Sequence, residues 1–137
     1  YERSGPERFL SAYRVFVELV RICGGEPTPE QSAAIGRIAS HFMTLRRMSI
    51  SVAGMLEQGK DVVVEAALVK ELGNNFEKLL PEIARTVAPD LSLENPDAQS
   101  LFRQTFEETM LLSPSFTLRG GTREILRGVI ARGLGLR

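Results

Sequence analysis

The sequence predicts an all-α fold, an antiparallel up-and-down bundle of four main helices plus a short C-terminal helix, in a single domain spanning residues 1–137. Three observations carry this expectation. Apolar residues recur at three- and four-residue spacing along most of the chain, helix start and stop signals bracket these runs, and no run alternates with period two long enough to make a sheet.

The first run is Phe9, Tyr13, Phe16 and Val20, joined by Leu10 and Val17. It reads as an amphipathic helix with Pro6 near its start and Gly24-Gly25 as its stop. Thr28, Pro29 and Gln31 then form a capping-box pattern. The long helix behind it places Ile35, Ile38, Phe42, Leu45, Ser49, Val52 and Leu56 on its inner face and ends at Gly59, roughly eight turns later. A third helix, from the Asp61 cap toward Pro89, carries Val69, Leu72, Phe76, Leu79 and Ile83, with Pro81 expected to bend or interrupt it. The flanking residues and the long period favour helix over strand for the Val62-Val63-Val64 run.

The prolines, Asp90, Ser92 and Asn95 between Val87 and Pro96 read as a loop. Asn95 caps a shorter helix with Pro96 at its first position and Leu101, Phe102 and Phe106 facing inward. Residues 113–122 are the least helical stretch. Thr122 then caps the last helix, with Glu124 in its first turn, Ile125, Leu126, Val129 and Ile130 on its buried face, Arg127 and Arg132 toward its end, and Gly133 and Gly135 as its stop.

Composition narrows the function classes. With 43% hydrophobic and 25% charged residues, and 17 Lys+Arg against 17 Asp+Glu, the chain has no cationic excess to drive binding to nucleic acid. No apolar stretch approaches the ~20 residues of a membrane span, and the start lacks the parts of a signal peptide. One Cys and one His argue against an internal disulfide or a zinc site. A soluble protein of a reducing, cytoplasmic compartment is expected. The start at Tyr1 rather than Met suggests a piece of a longer chain.

Few motifs stand out. Gly120-Gly121-Thr122 opens a helix, where free amides and absent side chains suit an anion or cofactor, although a plain helix start has the same form. Glu2-Arg3 and Glu7-Arg8 pair a carboxylate with a guanidinium, as a general base beside an anion contact would, or as a solvated helix start would. His41 and Cys23 read as structural or surface residues, the four methionines as packing, and Arg46, Arg47 and Lys60 as solvated charges.

The stretch from Thr117 to Arg137, TLRGGTREILRGVIARGLGLR, resembles the C-terminal end of flavin-dependent acyl-CoA dehydrogenases. YERSGPERFL is similar to the start of that family's C-terminal helical domain, and the stretch from Ile35 to Gly73 is similar to its second and third helices. The resemblance implies N-terminal helical and middle β-domains preceding this bundle, FAD bound between domains and subunits, and a homo- or hetero-oligomer. It implies oxidation of an acyl-CoA to the 2-enoyl-CoA, with no activity in the isolated fragment. Many members carry the catalytic base where this chain has Gly120; others carry it directly before an arginine on the first helix, where Glu2 falls, with Glu7 the alternative. Arg3 is then an acyl-CoA contact, and Gly121 and Thr122 are cofactor contacts. The short Gly24 to Pro29 connection replaces the family's arginine-phenylalanine-glycine loop, which implies either fewer flavin contacts from this domain or a partner that supplies them. The different class is a non-catalytic helical interaction or oligomerisation module, which the glycine at position 120 supports.

Overall fold

Thr28 starts the longest helix by the mechanism its neighbours specify. Its hydroxyl accepts from the Gln31 amide at 3.2 Å, while the Gln31 side chain accepts from the Thr28 amide at 2.9 Å. The computed structural model describes residues 8–88 and 96–136. In chain order these form a 3-10 turn (Arg8–Leu10), α1 (Tyr13–Cys23), α2 (Pro29–Glu57), α3 (Val63–Val87), α4 (Pro96–Leu112), a second 3-10 turn (Ser113–Thr117) and α5 (Arg123–Gly133). The fold is all-helical, with no strand among the described residues. None of the described helices is long and apolar enough to cross a membrane.

The 29 residues of α2 extend about 43 Å at 1.5 Å per residue. Gly59 ends this helix as expected: its φ of +71° lies where L side chains are strained, and the turn lets the Lys60 amide return to the Met55 carbonyl at 3.1 Å. At the next start the N-cap position falls on Val62, which makes no side-chain capping bond, and not on the expected Asp61; Asp61 Oδ1, one residue earlier, accepts from the Val63 amide at 3.2 Å. The start of α2 meets the end of α3, where Gln31 Nε2 donates to the Val87 carbonyl at 3.1 Å. At the other end, Val52 of α2 clusters with Val62 and Val69, flanked by Met48 and Met55.

α3 packs against all four other helices and both 3-10 turns, and so lies at the centre of the described structure. Phe42 of α2 is the hub of the main core, with its ring centroid 4.8 Å from Phe76, 5.2 Å from Tyr13 and 5.6 Å from Phe16. Around it Val15, Leu19, Ile38, Leu80 and Ala84 are buried completely, and Phe102 and Phe116 close the cluster. His41 stacks on Phe76 at 4.9 Å, a structural role. Burial raises the Cys23 thiol above its ordinary pKa.

Several expected faces are rotated. On α1 the buried residues are Val15, Glu18 and Leu19, with Ala12 just before them, whereas Leu10, Tyr13, Val17 and Val20 are exposed. Apolar residues surround that helix, so more than one stripe fits the spacing, and packing against α3 and α4 selects the one used. On α3, Leu72 and Leu79 are exposed while Ala67, Gly73, Leu80 and Ala84 face inward with Val69 and Phe76. Leu56 and Met43 of α2 are exposed as well. Pro81 does not interrupt α3: it lies buried inside the helix, where it lacks the amide that would otherwise bond the Glu77 carbonyl. Of the four residues expected on the inner face of α5, only Leu126 is buried, and Ile125 is exposed. The expected Asn95 cap lies outside the described residues.

Leu80 and Leu79 are neighbours with opposite environments, so truncating each tests this packing. Leu80→Ala is expected to cost about 2–5 kcal/mol in denaturant unfolding, and Leu79→Ala under about 1 kcal/mol. Equal losses at the two positions would contradict the observed face.

Candidate functional site

The face that α3 turns toward the C-terminal segment is polar and buried. Lys70, Glu71, Asn74 and Glu77 follow one another on successive turns, and Glu77 is wholly inaccessible to solvent. Removing carboxylates and an ammonium from water is costly unless each finds a partner. The partners come from three separate parts of the chain.

Glu77 accepts from the Ser11 amide at 2.6 Å through Oε1 and pairs with Arg119 Nη2 at 3.5 Å through Oε2. Arg119 also donates from Nη1 to Ser11 Oγ at 2.9 Å, and its guanidinium lies 4.5 Å from the centroid of the Phe116 ring. The start of α1, the middle of α3 and the segment after the second 3-10 turn are thereby joined at one carboxylate. One helical turn and a half earlier on α3, Glu71 Oε1 accepts from Arg127 Nε at 2.9 Å, Arg123 Nε at 3.3 Å and Asn75 Nδ2 at 3.1 Å. Lys70 Nζ donates to the Gly120 carbonyl. Val64, at the start of α3, lies against Gly133 at the end of α5, so the contacts of α5 run along the N-terminal part of α3, from Glu71 back to Val64.

These ties set the turn that opens α5. Gly120 and Gly121 adopt φ of +68° and +101°, conformations that glycine reaches without strain. Gly121 and Thr122 are half-buried, directly before the first turn of α5. Thr122 occupies the N-cap position with extended backbone, but its hydroxyl makes no capping bond to a helix amide, contrary to expectation. It bonds instead to the carboxylate of Glu124, whose pKa is lowered first by its own backbone amide, then by this hydroxyl, and further by Arg123 and Arg127. Glu30, at the start of α2, is lowered in the same way by its own amide and the Thr28 hydroxyl.

The site residues expected from sequence are thus only partly located. Gly121 and Thr122 lie together at the turn, with Lys70 beside them through Gly120. Glu2, Arg3 and Glu7 lie outside the described residues. Sequence reasoning did not single out Lys70, Glu71, Glu77 or Arg119 as site residues. One signal was present: arginines at positions 119, 123 and 127 recur every four residues, and Lys70, Glu71 and Glu77 lie among apolar neighbours on the third helix. Among the described residues no cluster of His, Cys, Asp or Glu is arranged to hold a metal ion. Comparison of the chain with family models, with curated proteins and with solved structures yields no match.

The lowered carboxyl pKa values make helix starts acid-sensitive. A carboxyl with a native pKa below its unfolded value contributes stability that is fully present above the unfolded value, about 4.3 for Glu. That stability is lost as pH falls through the native one. Glu124→Gln is therefore expected to lower stability at neutral pH and to reduce the loss on acidification, measured as unfolding midpoints across the acid range. An unchanged pH profile would show that Glu124 has the same pKa folded and unfolded.

Proposed function

We propose that this chain is the C-terminal helical domain, an antiparallel helical bundle, of a flavin-dependent acyl-CoA dehydrogenase-like enzyme. The observation that carries the reading is the Gly120-Gly121-Thr122 turn. It joins the stretch of sequence that resembles the family's end to a helix start whose two glycines have positive φ and whose preceding carbonyl is held by Lys70. A cofactor can approach such a backbone closely because no side chain stands in the way at the two glycines, and the helix start presents backbone amide donors. Glu124 occupies part of the positive end of α5, so a neutral carbonyl oxygen of a ring suits these donors better than a phosphate. The donor set fits a flavin.

In this reading Gly121 and Thr122 hold FAD together with the N-terminal and β-domains of the same chain and a second subunit. Bound FAD supplies the acceptor for the hydride that leaves the β-carbon of the acyl-CoA. Glu2, or alternatively Glu7, takes the α-proton, and Arg3 holds the substrate, leaving the 2-enoyl-CoA. Glycine at position 120 leaves no base at the turn itself. Glu71 and Glu77 are tied to arginines and amides, so their part is to shape the turn. The isolated domain is inactive, since substrate and flavin each need the other domains.

A second reading has its own support. Leu68, Leu72 and Leu79 form an exposed stripe on α3, and Met43 and Ile50 are exposed on α2, as in a helical module that binds or oligomerises without chemistry. The longer chain that carries these residues separates the two. It is expected to purify yellow with flavin absorbance and to reduce an electron acceptor with acyl-CoA, and Glu2→Gln is expected to slow that reaction roughly 10²–10⁴-fold. Full activity of the Glu2→Gln enzyme would overturn the base assignment, and absence of flavin with every partner subunit tried would favour the interaction module.

A further inference from the structure

The C-terminal segment is attached to the rest of the molecule differently from the other helices. We propose that residues 122–136 are a latch, opening and closing on α3 as one unit while the helices before it stay folded. The latch stands independently of the flavin reading.

Four features point to it. α5 packs chiefly on one helix, α3, and buries a single residue, Leu126; Ile125 and, just beyond the helix, Leu134 and Leu136 remain exposed. Its apolar hold is therefore small compared with that of α2, which buries Ile38, Phe42, Leu45 and Val52.

Its remaining attachments are polar, Glu71 to Arg123 and Arg127, while Lys70 on the Gly120 carbonyl and Glu77 on Arg119 hold the near side of the turn. Charged groups regain hydration when they separate, so such contacts open at less cost than apolar ones of similar extent.

The docked state also leaves polar atoms unpaired at this junction. Glu71 Oε2, Asn74 Nδ2 and Arg119 Nε are buried without a hydrogen-bond partner. Each loses its bond to water on closing and regains it on opening, which offsets part of what the ion pairs contribute.

A hinge is in place as well. Phe116 belongs to the main core and anchors the near end, and the positive φ of Gly120 and Gly121 falls just beyond it. At the far end Gly133 lies so close to α3 that a Cβ on it would come within 2.1 Å of Val64 Cγ2. Closure therefore has a defined end point. A molecule that contacts the Gly120-Gly121-Thr122 turn in its docked form binds the closed state and stabilises it to the extent of that preference.

Amide hydrogen exchange on the 137-residue chain, with Cys23→Ser as background, tests the latch. Amides of 123–133 are expected to exchange through a local opening, with at least about tenfold less protection than those of 67–84. The double variant Arg123→Ala/Arg127→Ala is expected to lower protection of the latch a further ten- to hundredfold, or about that, and to leave 67–84 unchanged relative to global stability. A lock comes from V64C/G133C, because a Cβ at Gly133 lies 3.3 Å from Val64 Cβ, close to the spacing of a disulfide. Oxidation of that pair is expected to bring the latch to the protection of α3, and reduction to release it again. Exchange of 123–133 in step with 67–84 in the chain without the lock would overturn the proposal, as would an oxidised lock that leaves the exchange of α5 unchanged.

Discussion

Much of this structure depends on one constraint: the charges buried on α3 must be matched by partners from elsewhere in the chain. Glu77 is wholly buried at the centre of the described structure, and an unmatched carboxylate there would cost several kcal/mol, a large part of a small domain's stability. Its partners are the Ser11 amide and Arg119, 66 and 42 residues away in sequence. Matching the charge therefore places the start of α1 and the segment before α5. Apolar burial around Phe42 supplies compactness, but apolar contact is tolerant of small rotations, whereas a hydrogen-bonded ion pair admits one register.

The same matching shapes the turn on which the functional proposal rests. Lys70 holds the carbonyl of Gly120, and Glu71 gathers Arg123 and Arg127 from the first turns of α5, so the glycine pair is held at both sides. A glycine turn is free to adopt many conformations, and here its conformation is imposed by side chains that touch no ligand. Lys70, Glu71 and Glu77 act as positioning residues for that turn, and the polar nature of the Glu71 contacts to Arg123 and Arg127 is also what makes α5 detachable.

Features governed by near neighbours were legible in the sequence. The Thr28 capping box, the Gly59 stop, the starts of α3 and α4, and the turn before α5 each depend on residues a few positions apart. The faces of the helices were less legible. α1 carries apolar residues nearly all round, and only contact with α3 and α4 decides that Val15 and Leu19 are inside and Tyr13 and Val20 outside. On α3 the spacing of Leu72 and Leu79 matched the template, yet these leucines lie outside while Lys70, Glu71, Asn74 and Glu77 take the inner position, because long-range partners make burial of polar groups tolerable. Hydropathy patterns assume the opposite. The candidate site divides the same way: Gly121 and Thr122 were visible as a local turn, whereas the arginines and glutamates that set it become apparent only when distant segments meet.

Glu77 and Arg119 act as a pair across the fold, and a double-mutant cycle measures their coupling. Unfolding free energies of the chain with Glu77→Gln, Arg119→Ala, both and neither are expected to show a coupling of about 1 kcal/mol or more, the double variant losing less than the two single losses added together. Losses that add to within about 0.5 kcal/mol would show that the two residues contribute independently.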